Sequence, residues 1–222
     1  MLPSSTVENY LKALYQAEAA SEDRVLVPMG QLAAIVGVAP GTATTMVKAL
    51  AESGLVEYEP YLGVRLSPAG TKLAALVLRR HRLVEQFLVE VVGMSWADVH
   101  DDAEQLEHVV SDRLIDRMDA MLGHPSVDPH GDPIPTADGD VKSRRYHSLL
   151  TCPIGTTVRV TRIADQDAGF LRFVEDHELK PGRSVEVEAR NPIADSVLVR
   201  TVGERRITIG TRAAAKLLIE VL

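Results

Sequence analysis

The sequence predicts a mainly α protein with a smaller β part: an N-terminal winged helix-turn-helix, a helical middle region and a small C-terminal β-barrel. Three patterns carry this. Apolar residues recur at helical spacing on both sides of a short alternating segment at residues 55–66. A proline-rich stretch, PSVDPHGDPIP, interrupts the chain at residues 125–135. Four alternating segments then crowd the end of the chain. The predicted organisation is a winged helix over 1–72, a helical domain over 73–140, a linker over 141–152 and a barrel over 153–222.

In the first region, Ser5-x-x-Glu8 has capping-box spacing, and Val7, Leu11 and Leu14 make a helical stripe. A second helix is predicted from about Pro28 to Ile35, closed by Gly37 at a position that favours positive φ. Pro40 suits the first turn of a third helix, which has no intrahelical use for its N–H. Two helices joined by a tight Gly-containing turn make a helix-turn-helix. After Gly54, LVEYE and VRLS alternate on either side of PYLG, so they read as a hairpin, the wing. The start and outer face of the third helix carry Ala39, Pro40, Gly41, Thr42, Thr44, Thr45 and Lys48, with no acid among them. Such a face suits the major groove of double-stranded DNA, with Arg65 of the wing on the backbone. The competing reading is a winged helix that binds only protein.

In the middle region Leu73, Leu76, Val77, Leu83, Val84, Phe87 and Leu88 form one stripe. Leu106, Val110, Leu114, Met118 and Met121 form a second, with Ser95-x-x-Asp98 as a start signal. Two helices with wide apolar faces need partners, and a homodimer is expected because duplex readers use two half-sites. The prolines at 125–135 predict a stiff extended connector. In the last region TVRVTRI, SVEVEAR, SVLVRTV and RRITIG read as strands of a small barrel.

Composition limits the alternatives. The 222 residues are 45% hydrophobic and 25% charged, which excludes collagen, a disordered tail and a coiled-coil rod. Aromatics, at 4%, are too few for binding by stacking. The single Cys152 excludes an intrachain disulfide and fits the cytoplasm. Neither a signal peptide nor a membrane span is expected. The net charge of −7 is concentrated: residues 73–140 hold 14 acidic and five basic residues. His81, His100 and His108 lie in that same stretch.

Mixed carboxylates and imidazoles suggest a divalent metal. In HDDAEQLEHVVSD, His100, Glu104 and His108 are spaced by four and predicted on one helical stripe, with Glu107 beside it. His81 and Glu85 on the preceding helix are also four apart. Oxygen and nitrogen donors of this kind suit Mn²⁺ or Fe²⁺, and the absence of thiolate makes structural zinc the poorer choice. The competing reading is surface ion pairing with Arg79, Arg80 and Arg82. Two other functions stay open. One is a winged-helix regulator with a non-metal effector; the other is a di-metal hydrolase, although no nucleophile motif or Gly-rich phosphate loop is present.

ENYLKALY, AGTKLAALVLRRHRLVEQFL, VHDDAEQLEHVVSD and HGDPIP resemble, in this order and over nearly the whole chain, the diphtheria-toxin-repressor family of metal-dependent transcriptional regulators. The resemblance implies a repressor, not an enzyme, that binds operator DNA as a homodimer and controls metal homeostasis genes. It also implies a C-terminal SH3-like (FeoA-like) domain. Glu104, Glu107 and His108 match the family's primary metal motif, and His81, Glu85 and His100 its ancillary site, so up to two ions per subunit are expected. Glu104 stands where iron-responsive members have Cys, which favours Mn²⁺, with Fe²⁺ the alternative. Two positions depart from the pattern: Asn9 replaces a charged or thioether ligand, and Lys12 stands where some manganese members have a carboxylate. Asp165, Gln166 and Asp167 fall near the C-terminal domain's extra ligands in that family.

Overall fold

The computed structural model describes residues 4–20, 26–141, 146–201, 203 and 205–222. The chain folds as two compact units. The first comprises Met1–His81, Leu106–Ser111 and Pro135–Val141; the second comprises Arg82–Gln105, Asp112–Ile134 and Lys142–Leu222.

In the first unit, α1 (Ser5–Ala20) buries Tyr10, Leu11, Leu14 and Ala17, a stripe at helical spacing. Its cap differs from the expected box. Ser4, not Ser5, closes the helix, with its Oγ accepting from Val7 N–H at 3.4 Å. The Glu8 carboxylate is thereby released from capping and is buried. Helices α2 (Met29–Ile35) and α3 (Pro40–Glu52) follow, and the chain bends by 102° between them. Gly37 takes φ +69° after α2, and Pro40 opens α3. Strands β1 (Val56–Glu59) and β2 (Gly63–Leu66) pair antiparallel, with Glu57 opposite Arg65. Val27 adds a bridge to Val64 through bonds of 2.8 and 3.0 Å. Leu32, Val47, Leu50, Val56, Val64 and Leu66 close the core beneath the α1 stripe. The winged helix-turn-helix expected from the sequence is therefore present.

Helix α4 (Pro68–Phe87) continues into a π-helical turn, Leu88–Val92, that Gly93 ends at φ +81°. The predicted second long helix is corrected. It is two helices, α5 (His100–Leu106) and α6 (Asp112–Met121). Val109 and Val110 N–H groups both bond to Leu106 O at 3.0 Å, which tightens the turn, and neighbouring β-branched side chains disfavour continuing it. His108 thus leaves the stripe shared with His100 and Glu104. In α6 the buried residues are Ile115 and Met118, whereas Leu114 and Met121 are exposed. Ser95 caps a turn rather than a helix, its Oγ accepting from Ala97 N–H at 3.3 Å.

The proline-rich stretch is not an extended connector. Asp128, His130, Asp132 and Ile134 are all buried. Asp128 Oδ1 accepts the N–H groups of His130 and Asp132, both at 2.9 Å, so one side chain folds the loop around itself. His130 O accepts from Ile163 N–H at 2.8 Å. The close approach requires Gly131: a Cβ there would lie 1.9 Å from Thr161 O.

The C-terminal part of the second unit is a six-stranded antiparallel sheet. It contains β3 (His147–Ser148), β4 (Thr157–Ile163), β5 (Ser184–Asn191), β6 (Ser196–Thr201), β7 (Arg206–Gly210) and β8 (Leu217–Val221), in the order β3-β8-β4-β5-β6-β7. Register shifts in β4 and β5 are the irregularities that bend such a sheet. All four predicted strands occur. Alternation in the sequence did not reveal β3, β8 or two helices, α7 (Ala168–Asp176) and α8 (Thr211–Lys216). Valines and isoleucines of the inner face form a core that also holds Trp96, Leu149 and Cys152.

Candidate metal centres and DNA-reading face

The first unit gathers a buried charged cluster. Glu107 is fully buried, and both its oxygens are engaged: Oε1 accepts from Lys12 Nζ at 2.7 Å and Oε2 lies 2.6 Å from His81 Nδ1. Burial alone would raise the Glu107 carboxyl; the His81 hydrogen bond and the Lys12 ammonium outweigh it and hold it below its ordinary value. Glu8 is engaged likewise, by Arg80 Nη1 at 3.2 Å and His108 Nδ1 at 2.6 Å. His81, which the resemblance assigned to the ancillary site, is thus brought together with Glu107 and His108 of the primary motif. Glu8, read only as a capping residue, joins them. The signal for Glu8 was its place in the α1 stripe, one turn before Lys12.

The second unit gathers a different cluster. Glu85 on α4 and His130 of the loop are fully buried, and Asp128 is 4% exposed. Ligand atoms of Glu85, Asp128 and His130 all lie within 4.8 Å of one another. His100 Nδ1 reaches Glu85 Oε1 at 3.1 Å and its Nε2 reaches Glu104 at 3.8 Å. His130 is held by its far nitrogen, Nε2 bonding to Trp96 O at 2.8 Å, which turns Nδ1 toward Glu85 Oε2 at 3.8 Å. The Trp96 ring stacks on His130 with centroids 5.4 Å apart. Burial, with Asp132 and Glu85 nearby, pushes the Asp128 carboxyl well above its ordinary value, and Arg82 only partly offsets this. Among the described residues, His130 Nδ1 and Asp128 Oδ2 have no hydrogen-bond partner. Sequence reasoning missed Asp128 and His130 because it read their loop as a stiff extended connector. The D-x-H spacing beside prolines was the available signal.

Asn9 is exposed on α1. Asp167 caps α7, accepting from Phe170 N–H at 2.9 Å, while Asp165 pairs with Lys216 and accepts from Asp167 N–H. Gln166 Nε2 reaches Asp132 at 3.5 Å. On α3, Gly41, Thr42, Thr45 and Lys48 are exposed, and Ala39 and Pro40 form its exposed start. Thr44 and Thr45 hydroxyls donate back to Pro40 and Gly41 carbonyls, which leaves their oxygens as acceptors. Arg65 pairs across the hairpin with Glu57 at 2.6 Å. Tyr61, at φ +67°, is fully exposed at the wing tip.

Comparison with known proteins identifies this arrangement. Residues 3–64 match the N-terminal DNA-binding domain of iron-dependent repressors, residues 67–136 their metal-binding and dimerisation domain, and residues 147–221 the FeoA domain. The iron-dependent repressor IdeR of Mycobacterium tuberculosis is 33% identical over 82% of this chain and 84% of its own. The chain belongs to the iron-dependent, or diphtheria-toxin, repressor family. The diphtheria toxin repressor of Corynebacterium diphtheriae is 33% identical over 60% of this chain and 58% of that protein. A solved manganese-dependent transcriptional repressor in complex with manganese is 39% identical, with TM-score 0.90, covering 97% of this chain and all of its own. The family's relatives are metal-dependent repressors, and its SH3-like C-terminal domain is the sheet described above.

The two clusters fit a repressor's metal unequally. In the second, His130 Nδ1 lacks a hydrogen-bond partner, Arg82 Nε approaches Asp128 Oδ2 at 3.5 Å without bonding to it, and two carboxylates with imidazoles are a donor set that suits Mn²⁺ or Fe²⁺. In the first, His108 Nε2 likewise lacks a hydrogen-bond partner, but Lys12 and Arg80 already pair with both carboxylates, and a divalent ion beside an ammonium would be repelled. With Lys12 in place, that cluster is the poorer fit.

Proposed function

We propose that the chain is a cytoplasmic, metal-activated repressor whose responsive centre is the second-unit cluster of Glu85, His100, Asp128 and His130, with Glu104 orienting His100. The observation that carries this is His130 Nδ1, buried without a hydrogen-bond partner and 3.8 Å from the fully buried Glu85 carboxylate. A polar group buried without a partner costs free energy that a bound cation would offset. When present, Mn²⁺ (or Fe²⁺) supplies charge neutralisation. The chain's own part is positional. Trp96 O sets the His130 tautomer, Asp128 folds its loop by two backbone bonds, and Arg82 approaches Asp128 at 3.5 Å. Thr42, Thr44, Thr45 and Lys48 would meet operator DNA, with the α3 N-terminus near a phosphate. Exposed Val91, Val92, Leu114 and Met121 supply an apolar surface in the second unit for the homodimer. No catalytic role is assigned.

Selection from random duplexes, with Mn²⁺ and with a chelator, tests this. A discrete operator should emerge only with Mn²⁺, and His130→Ala should lose it. Recovery of the same operator in chelator would refute metal activation.

A further inference from the structure

The first-unit cluster carries a cation of its own. Lys12 Nζ lies 2.7 Å from Glu107 Oε1, although the two residues are 95 positions apart. Lysine is almost never buried unless paired, yet Lys12 is only 5% exposed. Two carboxylates, Glu107 and Glu8, each pair with a cation, the Lys12 ammonium at 2.7 Å and the Arg80 guanidinium at 3.2 Å. All four carboxylate oxygens already accept from, or pair with, nitrogen. We propose that the Lys12 ammonium takes the place of the ion expected in the primary motif. It ties α1 to the turn after α5 whether or not metal is present, so this half of the protein is a permanent clamp. The clamp rests on first-unit geometry alone; confining the metal response to the other cluster rests on the function proposed above.

The alternative is that Lys12 swings out and Mn²⁺ takes its place. Acylation with a water-soluble N-hydroxysuccinimide ester, read by peptide mass spectrometry on the full chain, separates the two. Lys12 should stay protected with and without saturating Mn²⁺, while the exposed Lys48 reacts fully in both. A rise in Lys12 acylation on adding Mn²⁺ would overturn the proposal. Counting bound Mn²⁺ by atomic emission gives the second readout. Glu107→Gln should leave the wild-type stoichiometry unchanged, and Lys12→Glu should add one ion per chain. Loss of an ion in Glu107→Gln would also overturn it. If the wild type binds no Mn²⁺ while Lys12 stays protected, the clamp stands and the metal-responsive reading fails.

Discussion

Replacing Gly131 by Ala should damage the second-unit centre without touching a ligand. The residue sits at φ +86°, which costs an L side chain about 1–2 kcal/mol. The new Cβ would also lie 1.9 Å from Thr161 O and 2.8 Å from Arg162 Cα, so the loop and β4 must separate by roughly 1.5 Å to reach ordinary contact distances. The 2.8 Å bond from Ile163 N–H to His130 O then breaks, for roughly 1–3 kcal/mol more if its groups stay buried. The total is about 2–5 kcal/mol. Gly182→Ala is the control, because Gly182 has φ +91° but nothing within 4 Å of its added Cβ, which leaves only the conformational cost. At about 2–4 °C per kcal/mol for a chain of this size, Gly131→Ala should lower the melting midpoint by roughly 4–20 °C and the control by roughly 2–8 °C. Mn²⁺ affinity should fall only in the first variant. Thermal melts and Mn²⁺ titrations of both would check this, and equal melting shifts with equal Mn²⁺ affinity would refute the close-approach argument.

Three other outcomes are expected. Glu8→Ala leaves Arg80 buried without the Glu8 carboxylate, and breaking a buried pair this way should cost about 3–5 kcal/mol in urea unfolding of the full chain. Lys48→Ala should weaken operator binding similarly across sequences and reduce the slope of log affinity against log salt by about one, whereas Thr42→Val should alter sequence preference. Burial raises the Cys152 thiol above its ordinary value even though Arg190 opposes this. Iodoacetamide labelling should therefore stay slow in the native chain at pH 8 and become fast in denaturant; rapid native labelling would contradict the burial.

The winged helix was legible because its signals are local: Gly37 and Pro40 bracket the turn, and Val56, Tyr58, Val64 and Leu66 alternate across PYLG. The break between α5 and α6 was not legible, because Leu106, Val110 and Leu114 keep helical spacing through the turn that interrupts them. The loop at Asp128 was misread for a related reason. Proline marks where a helix cannot run, but not whether the chain there is buried, and it is Asp128's hydrogen bonds to its own backbone that let this segment fold inward. Lys12 was visible as a departure from the family pattern. Its partner was not, since a separation of 95 positions along the chain hides a contact that only folding creates.

The protein has one tryptophan, and its indole lies against the imidazole at the heart of the second-unit cluster, with Lys180 Nζ 4.6 Å above the ring. Nature has in effect supplied a fluorophore at the point of interest. A paramagnetic ion such as Mn²⁺ arriving there would dim its emission, so metal loading can be followed on the unlabelled chain, with no dye and no second tryptophan to confuse the signal.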